Sequence, residues 1–226
     1  MVAGPRSRDV LSGLTDTDLS KESFKWLTAR VIDVAGVSVR ALRVNYLGEL
    51  GWELHCPMGR LPQFYDAVWN AGQSHEIANF GIYAVNSLRM EKAYEAWGAE
   101  LTNEIALIEA DMERFFAADK GEFTGRDATL KVKEAGITTK LVYLEVEPGE
   151  SDVHGGEPVF DGDRPIGVTT SGGHGHCTAK SLGFAYVEPD YAVAGRKFDL
   201  ELLGKRCWAK VLAERVWDPN SERPRS

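Results

Sequence analysis

The sequence predicts an α+β chain in two parts: a mixed helix–strand unit over residues 1–135, and an all-β unit over residues 136–226. Three observations carry this. Segments with 3.6-residue apolar periodicity fall in the first part. About six short strands at regular spacing, joined by Gly-rich turns, follow residue 136. The chain of 226 residues, 43% hydrophobic and 27% charged, has the size and composition of one or two domains that bury a core.

Val2 and Ala3 read as the last stub of a strand. Gly4-Pro5 then opens a helix, because Pro suits the first helical position, and Leu14-Thr15-Asp16 reads as its exit. So abrupt a start leads us to expect further structure upstream. After an acidic connector at 16–20, a strand pair runs from about 30 to 47, with Leu42, Val44 and Tyr46 on one face. Gly48-Glu49-Leu50-Gly51 supplies a turn in which Gly51 is free to take positive φ, and 52–56 alternates again, completing a β-hairpin. Residues 59–72 read as a helix whose apolar face is Leu61, Phe64, Val68 and Ala71, with Pro62 in its first turn and Gly72 as its C′ residue. A second helix is expected over 82–96, stopping at Gly98, and a third over 126–135, stopping at Gly136. Strands are expected at 140–146, 157–160, 165–170, 181–187, 198–202 and 208–212, with Asp161-Gly162 in a hairpin turn. Their spacing fits a small barrel or a sandwich.

Charge and motifs narrow the function classes. With 26 Lys and Arg against 34 Asp and Glu, the net charge is −8, and no basic stripe marks a nucleic-acid surface. The three cysteines, Cys56, Cys177 and Cys207, form no C-x-x-C pair and fit reduced thiols in a cytoplasmic setting. No apolar run is long enough to span a membrane, and no signal-peptide h-region is present. No G-x-G-x-x-G follows a strand, so a flavin or nicotinamide fingerprint is missing. His154, His174, His176 and Cys177 lack a standard zinc spacing, and no metal is expected. The glycine-rich stretch 170–176 offers bare backbone N–H groups to an anion, but without a strand–GxxxxGK–helix context it reads as a plain β-turn. The acidic series Glu91, Glu95, Glu100, Glu104, Glu109, Asp111 and Glu113 reads as mostly a solvated face.

The hairpin is the most informative constellation. A loop at 48–51 sets Leu47 opposite Trp52 and Tyr46 opposite Glu53, so that a phenol and a carboxylate stand side by side. A carboxylate accepts two adjacent N–H donors of a flat heterocycle at once, and aromatic side chains sandwich such a ring. The same pair also fits the plain solvent face of a hairpin.

Several motifs, in order along the chain, resemble the glycine-cleavage T-protein (aminomethyltransferase) family. Residues 44–54, Val-Asn-Tyr-Leu-Gly-Glu-Leu-Gly-Trp-Glu-Leu, resemble its Tyr-x-Gly-Glu-x-Gly-x-Glu hairpin. Gly4-Pro5 resembles its helix start, Ser87-Leu88-Arg89-Met90-Glu91 its Ser-Leu-Arg-Leu-Glu segment, and Phe123-Thr124-Gly125-Arg126-Asp127-Ala128 its Phe-Ile-Gly-Arg-x-Ala segment. In the β part, Ile166-Gly167-Val168-Thr169-Thr170-Ser171-Gly172 and Leu182-Gly183-Phe184-Ala185-Tyr186-Val187 agree as well. Residues 91–102 are most similar to the folate domains of dimethylglycine and sarcosine dehydrogenases.

The resemblance implies a partial T-protein fold: a ferredoxin-like α+β folate-binding unit followed by a C-terminal antiparallel β-barrel. It implies tetrahydrofolate as cofactor and transfer of an aminomethyl or methylene unit from a small N-methyl amine or other one-carbon donor. Glu53 would hold the pterin, Tyr46 would bond or pack beside it, and Tyr94 and Trp97 would line the pocket, while Arg89 is expected in a structural ion pair. Two departures stand out. Ala84-Val85-Asn86 lacks the Arg that T-proteins carry before this segment, which matches the oxidase-type subfamily better. The family's essential Asp lies in an N-terminal portion with no counterpart here, so no catalytic residue is assigned. A flavin-containing partner or a missing N-terminal domain would then complete the chemistry, and self-association into a homo-oligomer is a further expectation. The alternatives are a non-catalytic folate-binding or interaction module and a tetrahydrofolate-dependent demethylase.

Overall fold

The computed structural model describes residues 1–226 and divides into two compact units, residues 1–85 with 218–226, and residues 86–217.

The first unit is a four-stranded antiparallel sheet backed by helices. Its elements are β1 (Val2–Ala3), α1 (Ser7–Ser12), β2 (Ala29–Val34), β3 (Val37–Leu42), β4 (Gly51–His55) and α2 (Leu61–Gly72), with sheet order β1-β4-β3-β2. Alternation sends Ile32, Val34, Val37, Val39, Ala41 and Trp52 into one core with Val10 and Leu11 of α1 and Phe64 and Val68 of α2. The apolar face expected for α2 is the buried one.

Two glycines serve differently from the expectation. Gly48, not Gly51, takes the positive φ, at 72°. Gly51 lies in β4, where a Cβ would sit 2.8 Å from the Val2 carbonyl oxygen, so it is small because β1 crosses close. Gly72 is the last residue of α2 with φ −80°, and a Cβ there would strike Ile77 at 2.6 Å. The left-handed residue that turns the chain is Glu76, at φ 56°.

Arg43 is 1% exposed and organises the end of this unit. Its guanidinium donates to the Phe24 carbonyl at 2.5 Å and to the Ser226 carbonyl, and lies over the Trp52 ring at 5.8 Å. The C-terminal turn α5 (Glu222–Arg225) is thus tied to the sheet, and Arg223 meets Glu49 at 3.1 Å.

α3 (Ile82–Glu91) runs into the second unit, which also contains α4 (Arg126–Ala135) and six strands. These are β5 (Lys140–Val146), β6 (Pro158–Asp161), β7 (Arg164–Gly175), β8 (Lys180–Val187), β9 (Lys197–Leu202) and β10 (Lys205–Val211). They close into an antiparallel barrel, β10-β5-β8-β7-β6-β9. Val142, Leu144, Val146, Val159, Ile166, Ala185, Val187 and Leu200 fill its interior. Opposite-face residues of β5 and β8, Leu141, Tyr143, Leu182, Phe184 and Tyr186, form a second cluster with Met90. This is why β8 reads as a continuous apolar run.

The stretch 170–176 is not a turn. Residues up to Gly175 belong to β7, which bulges between Thr169 and Ser171. Its glycines admit close neighbours: a Cβ on Gly172 would meet Val153 at 2.4 Å, and one on Gly175 would meet Glu91 at 2.7 Å. No helix of the protein is long and apolar enough to cross a membrane.

Candidate cofactor site

In the first unit the hairpin is shorter than its sequence implies. The β3–β4 ladder ends with Leu42 opposite Glu53, so Tyr46 is not the cross-strand neighbour of Glu53. The cause is the buried Arg43, which takes the chain out of the ladder. Residues 43–50 then form a loop held by Asn45, whose Nδ2 donates to the Glu49 carbonyl at 2.6 Å and whose Oδ1 accepts the Leu47 N–H at 2.9 Å. Tyr46 sits half-buried in this loop. Glu53 keeps a side chain 35% exposed on the sheet face away from the core, with one carboxylate oxygen 3.5 Å from His55 Nε2. A carboxylate placed so on a strand is fixed at its backbone and open at its oxygens, which suits bidentate recognition of neighbouring N–H donors.

In the second unit, α3 stops at Glu91 rather than near residue 96. Ala93 takes φ 50°, and the Tyr94 N–H returns to the Arg89 carbonyl at 3.0 Å. The loop beyond is built on a buried charge cluster. Glu100 is fully buried. One of its oxygens accepts the Ala96 N–H at 2.7 Å and faces Arg89 Nη1 at 3.3 Å; the other accepts the hydroxyls of Thr170 at 2.6 Å and Ser171 at 2.5 Å. Arg89 also donates to Asn86 Oδ1, to the Ser171 hydroxyl and to the Tyr94 carbonyl. The ion pair expected of Arg89 is therefore present, with Glu100 as partner. Together these bonds fix the turn that displays Tyr94, half-buried, and Trp97, 79% exposed.

Two members of the acidic series are thus interior rather than solvated. Glu91, also fully buried, accepts the Thr178 N–H at 2.7 Å and its hydroxyl at 3.0 Å. Burial pushes the Glu95 carboxyl up and, with nearby Glu91, carries the Tyr143 phenol well above its ordinary range. Local sequence gave no sign of this, because the partners Thr170, Ser171 and Thr178 lie on β7 and just after it.

Fold and site together define a mixed α+β unit with an open strand carboxylate, followed by a six-stranded antiparallel barrel whose outer face carries a buried ion-pair cluster. Two family models cover this arrangement, the GCVT N-terminal domain over residues 1–120 and the glycine cleavage T-protein C-terminal barrel domain over residues 139–218. The chain belongs to the glycine cleavage T-protein family.

It is 40% identical over 214 residues to the mitochondrial dimethylglycine dehydrogenase of Homo sapiens, covering 94% of this chain and 25% of that protein. It is 33% identical over 232 residues to the mitochondrial sarcosine dehydrogenase of Mus musculus, covering 98% and 25%. To an aminomethyltransferase of Thermoanaerobacter it is 31% identical over 219 residues, covering 97% and 59%. The chain spans a quarter of the length of the dehydrogenases it matches, 25%. The crystal structure of glycine cleavage system aminomethyltransferase T from Bartonella henselae shares the fold, with a TM-score of 0.83 at 24% identity over 96% of this chain and 58% of that one.

Proposed function

We propose that this chain is the tetrahydrofolate-binding part of a one-carbon transferase of the dimethylglycine and sarcosine dehydrogenase type, with residues 1–135 as its folate-binding unit and residues 136–226 as its barrel domain. The observation that carries this is Glu53: a carboxylate held on β4, half-exposed, on the sheet face opposite the core. The residues present fit the cofactor. Glu53 would accept the paired N–H donors of the pterin, and Tyr46, in the loop before β4, would pack or bond beside it. Tyr94 and Trp97, in the second unit, are each proposed as an aromatic contact to a folate. Tetrahydrofolate supplies the amine nitrogens that receive the one-carbon unit. The protein's part is to orient it, since positioning a nucleophile against a bound donor lowers the barrier without a strong acid or base. The donor would be a small N-methyl amine or its oxidation product, delivered by a flavin-containing partner or domain.

Isothermal titration of the chain with tetrahydrofolate tests the reading. Saturable binding, weakened about tenfold or more in Glu53→Ala, is expected, since a bidentate charge-assisted contact contributes about 1.5–3 kcal/mol. Equal binding by the two proteins would remove Glu53 from the site.

A further inference from the structure

We propose that residues 218–226 form a clasp that holds loop 43–50 at both of its ends, and that Arg223 and Glu49 are the positioning residues through which the clasp sets where Tyr46 stands. The part that concerns Tyr46 rests on the reading of that residue as a cofactor contact. The clasp itself rests on the contacts alone.

Residues 218–226 follow the barrel strands in sequence, yet they belong to the first unit. Their backbone is held in an unusual shape. Asp218 and Ser221 take φ 43° and 53°, the left-handed region that non-glycine residues seldom adopt. Such conformations persist where the surrounding contacts over-determine them. Here one Asp218 oxygen accepts the Glu222 N–H at 2.8 Å and the other the Arg223 N–H at 3.2 Å, while Ser221 and Pro224 are buried. The turn α5 is fixed at its start, so its carbonyls and the Arg223 side chain leave it in set directions.

Those directions meet the loop twice. At its start, Arg43 Nη2 donates to the Ser226 carbonyl and reaches that of Pro224 at 3.5 Å, and Arg8 of α1 donates to the same Ser226 oxygen at 2.6 Å. At its far end, Arg223 Nη1 lies 3.1 Å from each Glu49 oxygen. The Glu49 side chain is 14% exposed, so this pair is better shielded than an ordinary surface pair. The bonds from Asn45 to Glu49 and Leu47 lie inside the loop, so they shape it without tying it to its surroundings. Gly48, between Tyr46 and Glu49, has no side chain to restrain its backbone, and it takes a positive φ of 72°. The tie at Glu49 is thus the contact that holds the segment carrying Tyr46 on its far side.

Hydrogen exchange and calorimetric titration of the full chain with tetrahydrofolate test this together. In Arg223→Ala, exchange at the Leu47 N–H, which bonds inside the loop, should rise about three- to fivefold, the opening expected when one partly shielded ion pair is lost, while the amides of β5 in the barrel keep their rates. Arg223→Lys, and the exchanged pair Arg223→Glu with Glu49→Arg, should restore most of the protection. Tetrahydrofolate affinity should fall by a similar factor in Arg223→Ala. It should fall no further when Arg223→Ala is added to Tyr46→Ala, because a residue that acts through another is not additive with it. Unchanged exchange at Leu47 in Arg223→Ala, or no recovery in the lysine and exchanged variants, overturns the clasp. Additive losses of affinity overturn the positioning role. Failure of the cofactor reading has a different signature: Tyr46→Ala then leaves affinity unchanged, while exchange at Leu47 still responds to Arg223→Ala and recovers in the exchanged pair.

Discussion

Removing the Glu100 carboxylate is the sharpest perturbation available in the second unit. In Glu100→Ala the Arg89 guanidinium, 4% exposed, loses its only carboxylate, and the Ala96 N–H loses its acceptor. Breaking one side of a buried pair costs about 3–5 kcal/mol, because the partner charge stays desolvated. Glu100→Gln should behave differently, and the geometry says why. One Glu100 oxygen faces only N–H donors, from Ala96 and Arg89, and the other faces only the hydroxyls of Thr170 and Ser171. A glutamine can turn its carbonyl to the first pair and its amide to the second, since hydroxyls rotate to accept. What it loses is charge assistance, about 1–2 kcal/mol. With a urea dependence of about 2–3 kcal/mol/M, the midpoint should fall by about 1–2.5 M for the alanine variant and by about 0.3–1 M for the glutamine. Barrel unfolding followed by circular dichroism reads both. Equal losses in the two variants would refute the division of donors and hydroxyls between the two oxygens. A loss below about 1 kcal/mol in Glu100→Ala would refute the buried ion pair itself.

Other consequences are more local. Gly51→Ala would push a methyl to 2.8 Å from the Val2 carbonyl oxygen; a cost of about 1–3 kcal/mol and faster hydrogen exchange at Gly4, whose N–H bonds the Leu50 carbonyl at 2.8 Å, are expected. Trp97→Ala should leave stability within about 0.5 kcal/mol, because the ring is 79% exposed, while weakening tetrahydrofolate binding by titration. The barrel should lose stability in acid. A hydrogen bond from Lys180, with a second from Lys210, holds the Glu145 carboxyl below its ordinary value of 4.5 against its burial. Burial pulls Glu157 the other way, but the Thr169 hydroxyl and the His154 and Gly155 N–H groups outweigh it. Both folded values are depressed, so the contribution is complete above 4.5 and is lost as pH falls through the lower folded values. Urea midpoints across that range check this, and Glu145→Gln should flatten the dependence.

Which features were legible follows from the range of the interactions that determine them. α4 spans Arg126–Ala135 as expected, because its stop is a local property of one residue: Gly136 takes φ 81°. The barrel strands were legible for the same reason. Alternation and turn glycines are written within each segment, and all six expected strands start within three residues of where they lie. Closure into a barrel is a property of β9 and β10 pairing back to β6 and β5, which spacing alone leaves open between barrel and sandwich.

The side chains proposed for the site are visible in the sequence, but their register is not. Tyr46 and Glu53 are seven residues apart, and a tight turn would have paired them. What prevents it is Arg43, a cation in an alternating segment, which the sequence presents as one more outward-facing strand residue. It is buried because carbonyls from Phe24 and Ser226, far apart along the chain, converge on it. Glu100 eluded the pattern by the same mechanism. A glutamate among glutamates reads as solvated; beside Arg89 and the Ala96 N–H, the hydroxyls of Thr170 and Ser171, about seventy residues on, complete the shell that offsets its burial. Arg43 and Glu100 therefore share one physical origin for their burial. Apolar burial announces itself through periodicity, whereas polar burial depends on partners that only the folded chain brings near. We predict that the charges at Arg43, Arg89 and Glu100 make their contacts late in folding. Neutral replacements at these sites should then raise unfolding rates far more than they lower folding rates.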